Sequence, residues 1–335
     1  MDALIAEWHD RQKEITEPVE TIYIGGGTPS TLSVEAIGRL CEEIMKKPNN
    51  HGLFKSPVLQ EITIEANPGD ITPEKAQAWR AIGINRLSIG IQTFNDQLLQ
   101  LIGRRHTSEE ARQAVIVAQA AGFDNISIDL IYALPGQTLE QWQSDVVQAL
   151  ELGVQHISTY GLIYEDGTVL TTLLENGVIE AVEEDVEMQM YDYIVETLTE
   201  NGYVHYEVSN FALKGRESIH NSNYWNDIPY IGLGAGAHSY NCKQRQWNIS
   251  ELDTYIKQAL AHNLQPEIET LTDEQHHTEQ VMLKLRTNRG VSQTLVNKTV
   301  AEKYIDQGLL VKKGGNIVAT TKGFHILNII IENLL

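Results

Sequence analysis

Short apolar runs rich in β-branched residues alternate with helix-length amphipathic runs along most of this chain. That alternation restricts the possible folds more than any other feature. The runs at 20–24 (ETIYI), 60–65 (QEITIE), 86–91 (RLSIGI), 125–131 (NISIDLI) and 155–160 (QHISTY) predict strands, with a further candidate near 203–208 (YVHYEV). Helix patterns fall between or after them, at about 33–47, 73–82, 108–121, 138–151 and 184–201. Ser33, Thr72 before Pro73, Ser108 and Thr138 are suitable starts, while Gly83, Gly122, Gly153 and Gly202 are suitable stops. Strands and helices in this order imply an α/β fold with a parallel sheet and right-handed crossovers. There are too few units for a closed eight-stranded barrel, so a partial barrel or an open sheet is expected.

The rest of the chain, 266–335, differs in charge. The formal net charge is −20, but acidic and basic residues balance in this segment, so the excess lies in 1–265. The segment reads as helix (273–286), short helix (291–296), helix (299–307), a hairpin around Gly314 and Gly315, and a final helix (322–334). That order suggests a small winged-helix-like domain without the basic recognition helix of a DNA reader. We therefore expect domains at 1–265 and 266–335. The acidic balance disfavours nucleic acid as a partner. No apolar run nears the ~20 residues of a membrane span, and no signal-peptide pattern opens the chain, so a cytoplasmic location is expected. The two cysteines, Cys41 and Cys242, exclude a disulfide framework. They also exclude any cluster or zinc site held by three or four thiolates of this chain alone.

Candidate chemistry gathers near strand ends, where α/β sheets collect ligands. Gly25-Gly26-Gly27-Thr28-Pro29 allows close backbone approach but matches neither the phosphate-loop nor the dinucleotide pattern. Glu65, at a strand end, could accept two ribose hydroxyls or simply be solvated. Alternation puts Ser88, Gly90 and Gln92 on one face, where polar groups need partners. Arg104 could hold a carboxylate or pair at a helix end. Asp129 sits inside an apolar strand, which is costly unless it is bonded. His220, Tyr224 and Trp225 could meet haem iron and cover a flat macrocycle, or form a packed aromatic loop. Cys41, in line with Ile37 and Leu40, reads as core, and Cys242 as structural or incidental.

Taken in order, GGGTPS, EANPGD, RLSIGIQTF, GRRH, NISIDLIYALPGQT, ISTYGLIYEDGT, YEVSNFA, HNSNYW and IGLGAGAHS resemble the oxygen-independent coproporphyrinogen III oxidase family of radical S-adenosylmethionine (SAM) proteins. Within it, the YGLIYEDGT and HNSNYW runs most resemble the HemW-type haem chaperones. The resemblance implies a partial (β/α) radical-SAM-type barrel lacking its first strand, followed by the winged-helix-like domain. It assigns Gly26, Gly27 and Thr28 to the methionyl amine of SAM, Glu65 to the ribose, and Gln92, Arg104 and Asp129 to further SAM contacts, with Ile163 on the adenine side. It assigns His220, with Tyr224 and Trp225 beside it, to haem.

The family also carries a CxxxCxxC loop that ligates a [4Fe-4S] cluster upstream of GGGTP, and this sequence has none. Met1–Ile15 resembles the helix that follows that loop. Two origins fit: a truncated or mis-started reading frame, or a natural cluster-less paralogue. The intact SAM-contacting set favours the first. The implied activity is haem binding and transfer to haem-accepting proteins. The alternative is oxidative decarboxylation of coproporphyrinogen III, which this chain alone could not perform. With its first strand missing, the sheet edge is expected to promote a homodimer or poor solubility.

Overall fold

The computed structural model describes residues 1–46 and 59–335. They form two compact units, one from Met1–Ile22, Ser33–Glu61 and Ser218–Leu335, the other from Tyr23–Leu32 and Ile62–Glu217. The chain opens with α1 (Asp2–Arg11), β1 (Thr21–Ile24) and α2 (Val34–Met45). It continues through β2 (Glu61–Ala66), α3 (Pro73–Ile82), β3 (Arg86–Gln92), α4 (Asp96–Leu101), α5 (Ser108–Ala120) and β4 (Ile126–Tyr132). Then follow α6 (Leu139–Glu151), β5 (His156–Gly161), α7 (Val169–Glu175), α8 (Glu184–Glu200), β6 (Tyr203–Glu207) and β7 (Asn210–Leu213). The expected strands and main helices agree to within a residue or two. Position 47 of the helix expected over 33–47 lies outside the described residues. The start of α5 is capped by Thr107 rather than Ser108: the Thr107 side chain accepts from Glu110 N, and the Glu110 carboxylate accepts from Thr107 N.

These strands form a seven-stranded sheet in the order β1-β2-β3-β4-β5-β7-β6. The β2–β3, β3–β4 and β4–β5 pairs are parallel, whereas β5–β7 and β6–β7 are antiparallel. The sheet is therefore mixed, not parallel throughout as the sequence suggested. Only Val208 and Ser209 separate β6 from β7. So short a link permits a hairpin but no crossover.

Alternation gives this sheet two different faces. Ile62, Ile64, Leu87, Ile89, Ile126, Ile128, Leu130 and Ile157 are all buried on one of them. Each such side chain contributes about 1.5–3 kcal/mol. The intervening Thr63, Arg86, Ser88, Ser127, His156 and Ser158 are buried too, so the opposite face is a polar interior that must satisfy itself. Part of that face is a relay. Ser127 Oγ lies 2.7 Å from His156 Nδ1, and His156 Nε2 lies 2.8 Å from the Tyr206 hydroxyl. Burial holds His156 well below the usual imidazole range, with the Arg86 charge acting in the same direction.

The other unit continues with α9 (Ile219–Trp225), β8 (His238–Tyr240), β9 (Gln244–Trp247), α10 (Leu252–Leu260), β10 (Glu267–Thr270) and α11 (Asp273–Leu285). It ends with β11 (Val291–Ser292), α12 (Lys298–Asp306), β12 (Leu310–Lys313), β13 (Asn316–Ala319), α13 (Thr321–His325) and α14 (Leu327–Leu334). Two antiparallel three-stranded sheets result, β10-β9-β8 and β11-β13-β12. Ala3 of α1 packs with Tyr255 and Ala259 of α10. Trp8 Nε1 donates to Glu43 O of α2 at 3.2 Å. Val281, Leu285, Val291, Leu310, Ile317 and Ile330 belong to the C-terminal core.

Two C-terminal expectations need correction. The segment 291–296 is a strand and a turn rather than a helix, because Val291 and Ser292 pair with Ile317 and Asn316 of β13. That pairing places Val291 fully inside the core. The final helix is broken at Ile326, whose φ of −123° and ψ of 27° leave the helical region between α13 and α14. Among the described residues no helix is long and apolar enough to cross a membrane.

Candidate functional site

The glycine loop after β1 is tied to the end of β2. Gly26 and Gly27 adopt left-handed backbone, with φ of 81° and 66°, which glycine reaches at little cost. Gly26 N donates to Glu65 Oε2 at 3.1 Å, and the Tyr23 hydroxyl donates to Glu65 Oε1 at 2.8 Å. A Cβ on Gly25 would lie 2.6 Å from the Tyr23 ring and 2.9 Å from Glu65 Oε1, so only glycine leaves this carboxylate its place. Burial together with the Glu65 charge raises the Tyr23 phenol above its usual range. Further along, Ser30 Oγ donates to Asp70 Oδ2 at 2.6 Å and accepts from Asn67 N at 3.1 Å. The GGGTPS and EANPGD segments are thus one hydrogen-bonded structure, with Thr28 leading into the turn at Pro29–Thr31.

Gln92 departs from simple alternation. The β3–β4 register shifts between Gly90 and Gln92, and Gln92 takes a φ of 72°. Its amide folds back so that a Cβ on Gly90 would lie 2.9 Å from Gln92 Nε2 and 3.0 Å from Arg104 Nη2. Arg104 Nη2 donates to Gly90 O at 2.8 Å and to Asn67 Oδ1 at 3.0 Å. Asp129 stands opposite Gly90 in the ladder, well inside β4 rather than at its end, and accepts from Ser88 Oγ at 3.3 Å. Protein packs closely round its carboxyl, although the residue keeps some exposure. That desolvation pushes Asp129 up to about 6, against the Ser158 hydrogen bond and the Arg86 charge. The structure therefore groups Gly26 with Glu65, and Gln92 with Arg104 around Gly90. Ile163, 77% exposed in the loop after β5, is not packed into either group.

In the other unit, His220 and Tyr224 lie one turn apart on α9. The helix start is held by Glu61: its Oε1 accepts from His220 N at 3.0 Å and its Oε2 from Ile219 N at 3.1 Å. A buried carboxylate at a helix start satisfies N–H groups that have no helical partner. His220 Nδ1 lies 2.8 Å from Thr21 Oγ1, and Nε2 lies 2.9 Å from the Tyr224 hydroxyl. Tyr224 is 39% exposed and meets Tyr230 edge-on at 4.8 Å. Trp225 is half-buried at the end of the helix.

Sequence reasoning missed Thr21, Tyr23, Glu61 and a role for Asn67. Period-two alternation does place Tyr23 on the face of Gly25, which is the one signal that could have found it. The others depend on distant partners.

The residues present do not fit a [4Fe-4S] cluster. Cys41 is buried in α2, where desolvation pushes its thiol up to about 11. Cys242 is half-buried, and its Sγ donates to Asp227 O at 3.5 Å. No group of three or more His, Cys, Asp or Glu able to hold a metal occurs among the described residues. SAM fits better: a carboxylate fixed at both oxygens, exposed glycine backbone and a guanidinium line one sheet end.

A family model described as the radical SAM superfamily matches residues 3–147. The heme chaperone HemW of Lactococcus lactis is 40% identical over an alignment of 347 residues, spanning 100% of this chain and 89% of that protein. HemW of Bacillus subtilis is 40% identical over 288 residues, covering 85% and 73%. The solved structure of coproporphyrinogen III oxidase HemN from Escherichia coli superposes with a TM-score of 0.78 at 22% identity, covering 99% of this chain and 81% of that one. At that identity the match establishes a shared fold, the α/β core with its separate smaller sheets. Full-length identity of 40% to HemW establishes more: with two cysteines and no CxxxCxxC motif, this chain belongs to the HemW family of the radical SAM superfamily.

Proposed function

We propose that this protein binds haem and passes it to haem-accepting proteins, and that it retains a SAM pocket. The observation that carries the reading is α9, which presents a histidine, an exposed tyrosine and a tryptophan within six residues of one another on a carboxylate-anchored turn. Family membership supports it, since relatives at 40% identity are named heme chaperones.

Haem is cargo on this reading. The His220 imidazole supplies the iron ligand, and Tyr224 and Trp225 supply aromatic surface for the macrocycle. In the SAM pocket, Gly26, Gly27 and Thr28 hold the methionyl end through backbone groups. Glu65 accepts the ribose hydroxyls in an orientation set by Tyr23, and Gln92, Arg104 and Asp129 complete the polar wall. Ile163, exposed in the loop after β5, would line the adenine side. SAM would supply its sulfonium group there, and this sequence carries no CxxxCxxC motif to hold a cluster beside it. We read the strands around this pocket as a partial (β/α) barrel and residues 266–335 as a winged-helix-like domain following a 1–265 core.

Haem titration followed by absorbance tests the reading. The parent protein is expected to give a saturable Soret shift that His220→Ala loses. A His220→Ala protein that keeps the full shift refutes it.

A further inference from the structure

Both ring nitrogens of His220 already hold hydrogen bonds, and the two bonds differ in character. Nδ1 meets Thr21 Oγ1 at 2.8 Å on the more enclosed side. Nε2 meets the hydroxyl of Tyr224, an exposed residue, at 2.9 Å. The two rings stand edge-on, 5.0 Å apart and 85° between planes. The backbone beneath is fixed, because Glu61 accepts from both Ile219 N and His220 N.

A histidine that ligates a metal needs a lone pair on one nitrogen, and usually donates the other N–H to a partner that sets the tautomer. Thr21 Oγ1 can accept a hydrogen bond from such an N–H. Of these two partners Tyr224 is the more exposed, so the nitrogen that incoming iron reaches is the one that Tyr224 caps. From this geometry we propose that haem iron takes Nε2 of His220, that Thr21 is a positioning residue holding the Nδ1–H tautomer, and that the Tyr224 hydroxyl is a cap the iron must displace. The proposal rests on the haem-binding reading above. In ligation the Nε2 lone pair leaves the tyrosine hydroxyl and bonds to iron, and the tyrosine proton stays on its oxygen.

The cap sets haem affinity by competition. Losing one hydrogen bond of ordinary strength corresponds to a several-fold change in a binding constant. Tyr224→Phe keeps the ring and its packing on Tyr230 but removes the competing hydroxyl. We expect haem to bind it about three- to tenfold more tightly. Thr21→Val keeps the β-branched shape and removes the acceptor for Nδ1–H. Loss of such an outer partner weakens metal binding, here by about tenfold, and broadens the Soret band as the ring loses one orientation. Thr21→Ser restores both.

The experiment is haem titration of these three variants alongside His220→Ala, read by Soret position, width and dissociation constant. Unchanged or weaker binding by Tyr224→Phe overturns the cap, the second outcome making the phenol a haem contact. Unchanged affinity and band width in Thr21→Val overturns the positioning role. If His220→Ala keeps the full shift, the haem reading itself fails. If His220→Ala loses it while Tyr224→Phe binds like the parent, only the cap fails.

Discussion

Removing the Glu7 carboxylate should be among the most damaging single changes in this protein. Glu7 is fully buried on α1, yet it ends four donors. Oε2 accepts from the Tyr255 hydroxyl at 2.6 Å and from Gly234 N at 2.8 Å. Oε1 accepts from Asn248 Nδ2 at 2.7 Å and from Arg11 Nη1 at 3.4 Å. Arg11 also donates to Gly232 O at 3.0 Å, so the pair fixes the glycine-rich run that begins there. Glu7→Ala strands the hydroxyl, one N–H of Asn248 (whose Nδ2 keeps Gly234 O at 2.8 Å) and the Gly234 N–H, each costing about 1–3 kcal/mol if nothing replaces the carboxylate. Arg11 retains Glu14 at 3.0 Å, and water entering the space recovers part of the rest. The net loss should be about 3–5 kcal/mol. Urea unfolding, followed by tryptophan fluorescence, reads it as a lower midpoint, and buried Trp8 lies beside the change. The double variant Glu7→Ala with Tyr255→Phe should cost less than the sum of its parts by about 1.5–3 kcal/mol, since no hydroxyl is then stranded. A loss below about 1 kcal/mol for Glu7→Ala, or strict additivity in the cycle, would refute the reasoning.

Three other outcomes follow from the same structure. Gly90→Ala should leave the unfolding midpoint nearly unchanged while displacing the flexible ends of Gln92 and Arg104; equilibrium dialysis with SAM should show affinity reduced about tenfold, and undiminished binding would contradict the pocket. Glu207 is buried and desolvation pushes it up from 4.5 to about 7, so the stability it contributes is full below 4.5 and lost as pH rises through 7. Compared with Glu207→Gln, the parent should therefore lose about 1–3 kcal/mol more stability between pH 4.5 and 7, and parallel pH profiles would show that no such proton is held. Finally, β1 is the terminal strand of the sheet among the described residues; light scattering should show self-association through that edge, and a monodisperse monomer across a wide concentration range would exclude it.

Much of the seven-stranded sheet and its helices is legible because the signals are local. Ile62 and Ile64, or Ile126 and Ile128, declare a strand by period, and Thr138 with Gln141 or Thr72 before Pro73 declares a helix start within four residues. The ordered motifs are legible in the same way and bring the family with them. Gln92 marks where local reading ends. Alternation assigns it the face of Ser88 and Gly90, but a register shift and a left-handed backbone redirect it. The β6–β7 hairpin was missed for a related reason, since β propensity in YVHYEV says nothing about strand direction.

Sequence by itself determined the α/β alternation, the family and the absence of a CxxxCxxC loop, because each depends on residues close together or in fixed order. Tertiary structure decided which groups are held by which. Tyr23 comes to orient Glu65 from 42 residues away, and Thr21 reaches His220 across 199. Glu61 anchors the start of His220's helix across 159 residues, and Glu7 meets Tyr255 across 248. A buried polar group must find a partner, but the hydrogen bond acts over about 3 Å of space. Which partner comes within that distance is set by how the chain packs, and no local pattern encodes it.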